Sequence, residues 1–221
     1  MTSAHALENT RVIDLIQFWD NAVPEAVAEL LASVETTNPE LHYHCFSDIS
    51  AAEYIEKEFG SETRTLYDVC AIPAMRADLF RYCFLVKSGG FYIDADYRAK
   101  QSVWPLVSAG YTGCLFERDR GLANGLLYFR DSEDPLAIAI LESALHNIRT
   151  RSSNNVWGVT GPAVLKRLYA NPAKAPLFEG FHLVNELEFG QYFETVACLD
   201  YKLDDRHWFV ARHKGLNIFR D

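Results

Sequence analysis

Hydrophobic positions follow two alternating rhythms along this chain: short, nearly continuous apolar runs, then stretches with an apolar residue every three or four positions. Val12 to Trp19 is rich in Val, Ile, Leu, Phe and Trp, as a largely buried strand should be. Pro24 falls where a first helical turn tolerates proline, and Val27, Leu30, Leu31 and Val34 follow at helical spacing. Asn38-Pro39 breaks that helix, and Leu41 to Phe46 reads as a second strand. Ser47, Asp48 and Ser50 offer caps for a short helix reaching about Phe59.

A stronger helix is predicted from about Pro73 to Lys87, with Met75, Leu79, Cys83 and Val86 on one face. Gly89-Gly90 ends it, since a left-handed backbone costs glycine little. Phe91-Tyr92-Ile93 is then a short strand delivering Asp94 at its carboxyl end. Cys114 to Phe116 and Gly125 to Phe129 are further strands, and Leu136 to Ile148 is a helix capped by Asp134 and Pro135. Beyond Ala170 the pattern weakens. Repeated β-then-α units imply an α/β fold, one domain with helices covering a mainly parallel sheet. Ligands of such sheets gather outside the carboxyl ends of the strands, which places Trp19 and Asp94 at one rim.

Composition narrows the field. Over 221 residues, 49% hydrophobic and 23% charged content is ordinary for a globular chain. The net charge of −9 disfavours a nucleic-acid scaffold, which needs a broad cationic surface. A local basic pocket for one phosphorylated small molecule remains compatible. Five widely spaced cysteines without a CxxC argue against a disulfide framework or a zinc knuckle. No apolar stretch follows a basic start, and no run approaches the roughly 20 residues of a membrane span. The reading is a cytoplasmic protein.

The chemistry concentrates in Ala74 to Arg98. Asp94-Ala95-Asp96 places two carboxylates after a buried strand, where the backbone must turn if both are to face one point. A hard divalent cation, Mn²⁺ or Mg²⁺, suits such oxygen ligands, and phosphate oxygens can complete its shell. Alone, the motif reads more readily as a solvated turn. Its context adds meaning: Arg76, Asp78 and Arg81 interrupt an otherwise apolar helix just before the glycines. Asp78 and Arg81 are three apart and share a helical face, and charges on a covered helix require partners or a ligand.

The run Arg-x-Asp-x-x-Arg followed by Gly-Gly-x-Tyr-x-Asp-x-Asp resembles the DXD-containing sugar transferases of family 32, with yeast-type mannosyltransferases, bacterial polysaccharide enzymes and, distantly, the clostridial glucosylating toxins. The likeness extends more loosely to Ile16-Gln17-Phe18-Trp19, Asn38-Pro39 with Asp48, Asn124, and Thr160-Gly161-Pro162, in the family's order. It implies a GT-A-type (Rossmann-like) fold, a nucleotide-sugar half over about 11–100 and an acceptor-side half over about 101–221. The implied reaction is metal-dependent, retaining transfer of a hexose from a UDP- or GDP-sugar to a glycan, lipid-linked or other hydroxyl acceptor. A surface-polysaccharide precursor, reached at the inner face of the cell membrane, fits that expectation.

By position, the resemblance gives Asp96 to the metal and Asp94 to the ribose or the metal. Asp78 and Arg81 would hold the donor hexose, Asn124 would touch the sugar near the reaction centre, and Trp19 would stack on the base. Gln17, Arg76 and Tyr92 fall within the same donor-binding set. Two departures stand out. The opening Ile-Pro-Lys-x-Ile-His of the family is replaced by Arg11 to Trp19. The family's late histidine with Ser-Trp is replaced by His207-Trp208 and by His213 to Asn217. His213 is aligned as the metal or phosphate contact, Asn217 as the serine replacement, and Lys214 as a phosphate charge, with His207 the competing histidine.

Other features are weaker. His42 and His44 alternate along a strand and can ligate a metal, though such pairs are commonly just exposed. Ser152 to Asn155 reads as a loop that folds over donor or acceptor, Trp157 as a packed aromatic, and Phe181 to Tyr192 as an acceptor groove. A haloacid-dehalogenase-type phosphatase also sets Asp-x-Asp after a strand. It wants Thr or Val where Arg98 stands, and an early motif rather than this mid-chain one. A non-catalytic nucleotide-sugar binder is the other alternative, because fold does not guarantee chemistry.

Overall fold

A computed structural model describes residues 12–205 and 207–220. The amino-terminal third carries β1 (Asp14–Trp19), α1 (Glu25–Thr37), β2 (His42–Ser47), α2 (Asp48–Asp68), α3 (Pro73–Ser88) and β3 (Gly90–Ile93). Then come β4 (Tyr97–Ala99), α4 (Trp104–Ser108), β5 (Gly113–Arg118), β6 (Gly121–Phe129) and α5 (Pro135–Arg149). The remainder holds α6 (Val156–Val159), α7 (Pro162–Tyr169), β7 (Phe181–Val184), α8 (Glu186–Tyr192), β8 (Phe193–Thr195) and α9 (Trp208–His213).

The central sheet runs β2-β1-β3-β6-β5-β7. β1 pairs parallel with β2 and β3, and β5 pairs parallel with β7. Only β6 is reversed in it, antiparallel to both β3 and β5. The sheet is therefore mainly parallel, as expected, with one returning strand that brings Asn124 and Gly125 back beside Asp94. A separate ribbon pairs β4 with β8, antiparallel. Three-residue strands carry no readable periodicity, which is why neither was anticipated.

Side-chain alternation divides the core. Ile16, Phe18 and Tyr92 face the layer built from α2, α3 and α5, while Leu15, Phe91 and Tyr128 face the opposite cluster. α1 buries Val27, Leu30, Leu31 and Val34, the four positions its spacing singled out. Its end is fixed by Asn38, whose Nδ2 donates to the Val34 carbonyl and whose Oδ1 accepts from the Val103 N–H. α2 begins with a reciprocal Ser47–Ser50 capping box, as expected, but runs past Phe59 to Asp68. The expected stop survives as a kink at Gly60, where φ is +80°.

α3 departs from a one-faced helix. Every residue from Met75 to Val86 is buried, so its polar positions need partners inside the protein. Gly90 (φ +96°) follows it where a Cβ would lie 2.6 Å from the Asp14 carbonyl oxygen, so glycine lets β3 enter flush against β1. Among the described residues, no helix is long and apolar enough to cross a membrane.

Candidate functional site

The carboxyl ends of β1 and β3 open on a cleft of about 350 Å³ whose walls include Trp19, Asp78, Arg81, Asp94, Asp96 and Asn124. The Asp94 turn is clamped by backbone bonds. Its N–H donates to the Gly125 carbonyl (2.8 Å), and its carbonyl accepts from Tyr97 N–H (3.3 Å) and Gln17 Nε2 (3.2 Å). A Cβ at Gly125 would stand 2.3 Å from Asp94 Oδ2 and from the Tyr97 hydroxyl. Only glycine leaves the space those oxygens occupy.

Beneath that turn lies a buried ionic network. Arg81 reaches Asp94 Oδ1 (3.0 Å) with Nη1 and Asp78 Oδ1 (3.1 Å) with Nη2. It also donates to the Asn124 carbonyl (2.6 Å), and its guanidinium stacks 3.9 Å above the Tyr92 ring. The Tyr92 hydroxyl donates to Asp94 Oδ1 at 3.0 Å. Asp78 accepts from Asn124 Nδ2 (2.8 Å) and from Thr160 Oγ1 (2.9 Å), and that amide also donates to the Tyr82 hydroxyl. Asp78 and Arg81 have lost water and gained partners, as burial demands, while the Asp94 side chain stays 33% exposed.

The electrostatics follow from that enclosure. Burial pushes the Asp78 carboxyl up to about 6, although Arg81, Thr160 and Asn124 pull it down. Burial raises Asp94 too, with Arg81 and Tyr92 opposing and Asp96 adding to the rise. For Arg81 burial works against the charge, but Tyr92, Asp94 and Asp78 outweigh it and hold its pKa above the ordinary value. The guanidinium is a permanent cation between two carboxylates.

Asp96 is served differently. Its Oδ2 accepts from the Lys202 ammonium at 2.7 Å, and that ammonium also donates to the Val196 carbonyl at 2.7 Å. The β4–β8 ribbon makes this meeting, continued by a bond from Val196 N–H to the Asp96 carbonyl (2.9 Å). The following 3₁₀ turn, Asp200–Leu203, sets Tyr201 edge-on against Trp19 with ring centroids 4.9 Å apart. His207 and Trp208 complete that wall. His207 Nδ1 is buried with no hydrogen-bond partner among the described residues. Burial, then Lys202, lowers the His207 pKa and favours the neutral ring.

Of the residues singled out in the sequence, Trp19, Asp78, Arg81, Tyr92, Asp94, Asp96 and Asn124 converge on the cleft. Gln17 does not line it. That side chain is fully buried beneath the turn, holding the Asp94 carbonyl and accepting from the Tyr43 hydroxyl at 3.0 Å. Arg76 faces away as well, paired with Asp48, whose carboxylate also takes the Tyr67 hydroxyl. It joins α3 to α2, because a position two residues before Asp78 on a helix points to a different side.

The tail is also rearranged relative to expectation. His213 packs on Phe209 at the end of α9, Lys214 pairs with Asp205 at the surface, and Asn217 caps Phe219 N–H. None of the three lines the cleft, whereas His207 does. α9 begins between the two histidines and carries the later one away. Trp157, expected to be packed, is 38% exposed and stands in the cleft wall, so three tryptophans (Trp19, Trp157 and Trp208) face one cavity. The 152–155 loop is fastened rather than free, with Asn154 bonded to Leu216 and Ile218. Of the acceptor-groove residues, Glu186 meets the cleft only through Arg118, at 3.1 Å, and Glu188 pairs with His182. Lys202, Tyr201 and Arg118 were missed, since isolated residues in weakly patterned segments carry no motif.

Comparison with known proteins places this geometry. Residues 11–111 match the family described as glycosyltransferase sugar-binding region containing DXD motif. Inositol phosphoceramide mannosyltransferase 3 of Schizosaccharomyces pombe is 26% identical over 174 residues, covering 75% of this chain and 47% of that protein. The chain thus spans about half the length of the curated relative it matches. The PaToxG glycosyltransferase superposes with a TM-score of 0.57 at 15% identity, over 94% of this chain and 88% of that one. The UDP-bound glycosyltransferase domain of the YGT toxin gives 0.56 at 9% identity, over 85% and 80%. At such identities the structural likeness speaks for the fold alone, which is the GT-A-type α/β fold expected from the sequence.

Proposed function

From a chain whose residues 11–111 carry the DXD-containing sugar-binding region of glycosyltransferases, we propose metal-dependent, retaining transfer of a hexose from a nucleotide-diphosphate sugar to a hydroxyl acceptor. The observation that carries this reading is a cation already held by Asp96 at the cleft, the Lys202 ammonium, two residues along from the Asp94 that Arg81 engages. A carboxylate that binds an ammonium there suits a divalent ion, and His207 in the same wall carries a buried Nδ1 with no hydrogen-bond partner among the described residues. Asp96, Asp94 and His207 are the residues that would hold Mn²⁺ or Mg²⁺, with His207 taking the place first given to His213. When bound, that ion neutralises charge developing on the departing diphosphate.

The chain's own side chains account for the rest. Trp19, braced edge-on by Tyr201, offers a face to the base. A UDP donor is supported by the UDP-bound neighbour of the same fold, and a mannosyl donor, as a UDP- or GDP-sugar, by the name of the curated mannosyltransferase. Asp78, Arg81 and Asn124 fix one another, so groups that bind the hexose hydroxyls are positioned before the donor arrives. Neither Asp78 nor Asp94 is free to attack carbon, because Arg81 and its neighbours engage both. That supports same-face displacement: the acceptor oxygen bonds to C1 as the C1–O bond to the diphosphate breaks. The hydroxyl proton passes to the leaving phosphate oxygen.

The acceptor class we favour is a glycan or lipid-linked hydroxyl, as in surface-polysaccharide assembly at a membrane face, a choice supported by the lipid named in the curated relative. A thermal-shift screen of UDP-hexoses and GDP-mannose with Mn²⁺ or Mg²⁺ tests the proposal, since ligands of the native state raise its melting temperature. One donor should raise Tm only with metal and be slowly hydrolysed. Stabilisation without hydrolysis would make the chain a binder, and no stabilisation by any donor would remove the reading.

A further inference from the structure

At the amino end of β1, beside the start of β2, lies a second polar cluster that the transfer reaction does not use. Asp14 and His42 are the first residues of β1 and β2 and stand directly opposite each other in the parallel register. His44 lies two positions further along β2, on the same sheet face as His42. The three side chains point their ligating atoms at one spot. His42 Nδ1 is 3.0 Å from Asp14 Oδ1, His44 Nε2 is 3.4 Å from that oxygen, and the two nitrogens are 2.9 Å apart. The imidazole planes cross at 76°, edge to face, so the rings are not stacked.

One of these separations, 3.4 Å, matches a coordination triangle, and the other two, 3.0 and 2.9 Å, are a few tenths of an ångström tighter. Ligands about 2.0–2.1 Å from a tetrahedral zinc lie about 3.3–3.4 Å from each other. Protons serve the trio poorly. A neutral imidazole has one N–H and one bare nitrogen, and a carboxylate only accepts. If His42 Nδ1 donates to Asp14, the bare His44 nitrogen faces the carboxylate. If His44 donates to His42, the bare His42 nitrogen faces it instead. Charging both rings sets N–H against N–H. A single dication satisfies all three atoms together.

We infer that Asp14, His42 and His44 form a site for a borderline transition-metal dication of the Zn²⁺ class, with solvent completing the coordination. The placement is built into the backbone, because the parallel β1–β2 register fixes Asp14 beside His42 and Gly90 lets β3 press against the Asp14 carbonyl. All three side chains are reachable, with relative exposures of 28%, 58% and 37% for Asp14, His42 and His44. Two nitrogens and one oxygen favour Zn²⁺, Co²⁺ or Ni²⁺ over the Mg²⁺ and Mn²⁺ that suit an oxygen-only site. Five residue steps of β1, about 16 Å of strand, separate Asp14 from Trp19 at the cleft. The ion would sit away from donor chemistry and clip the edge strand β2 to its neighbour.

Zn²⁺ titration of the full chain by calorimetry tests the assignment, with Co²⁺ absorption reporting coordination. Asp96→Asn removes the cleft's own carboxylate from the count. Both wild type and Asp96→Asn should bind one Zn²⁺ at this site, and Co²⁺ should give the intense visible bands of a four-coordinate ion. His42→Ala/His44→Ala should weaken that binding at least about 100-fold and abolish the bands, while its metal-free melting temperature stays that of wild type. Zn²⁺ affinity unchanged in the double variant would overturn the site, as would no binding in wild type. Loss of Zn²⁺ binding in Asp96→Asn alone would place the ion in the cleft and equally refute it.

Discussion

Strand β1 has a charged cluster at each end, one shared with β3 and one with β2, and the two ends solve opposite problems. At the carboxyl end, Arg81 is almost wholly enclosed and every neighbouring oxygen it can reach is aimed at it. At the amino end, Asp14, His42 and His44 stay open to water, and three electron-rich atoms share too few protons. Burial compels a complete set of partners, because an uncompensated interior charge costs several kcal/mol. Exposure permits an incomplete one, since water can fill in until a ligand does. The enclosed end is rigid by necessity and the open end is adaptable.

Substitutions should separate the two ends by size of effect. Asp96→Asn is expected to cost at least about 1,000-fold in transfer and donor hydrolysis, the scale of losing a main electrostatic contact in the transition state. Circular dichroism of that variant should match wild type, and retained turnover without added metal would sink its role. Arg81→Met strands Asp78 in the interior and unpairs the partly exposed Asp94, and should destabilise the fold by about 3–5 kcal/mol in urea unfolding. A smaller loss would mean that water reaches the network.

A pH series sharpens the contrast. The folded pKa of Asp78, about 6, lies above its ordinary value of 3.8, so folding favours the protonated acid. Its stabilising contribution is full below about pH 3.8 and is lost as pH rises through about 6. Unfolding free energies of wild type relative to Asp78→Asn should therefore fall by up to about 3 kcal/mol between pH 4 and pH 7.5. A flat difference would show that Arg81 cancels the burial cost entirely. Trp19→Ala should raise the donor KM roughly 5- to 100-fold with little change in kcat, the range for loss of one base-stacking ring. At the open end, His42→Ala in chelator-treated buffer should alter stability by less than about 0.5 kcal/mol.

The sequence made the enclosed end legible for a physical reason. Arg76, Asp78 and Arg81 break an apolar helix, and Gly89-Gly90 with Asp94 and Asp96 leave a local signature within one short segment. What stayed hidden depends on contacts distant along the chain. Lys202 meets Asp96 only because β4 and β8, three residues each, pair across the intervening sequence. Gln17 and Arg76 sit in motif-bearing stretches but face other side chains, a distinction spacing alone does not encode. The tail histidines illustrate the same limit: α9 starts after His207 and carries His213 off the cleft. His42 and His44 were visible as an alternating pair. Their third partner, Asp14, emerged only from the register of β1 against β2.

Three of the four tryptophans, Trp19, Trp157 and Trp208, stand around one cavity, and Trp19 already meets a tyrosine ring edge-on. Intrinsic fluorescence of this chain is thus largely a signal from the cleft. A nucleotide that slides over the first indole should quench the emission without any attached dye, giving the unmodified protein a built-in optical gauge of occupancy.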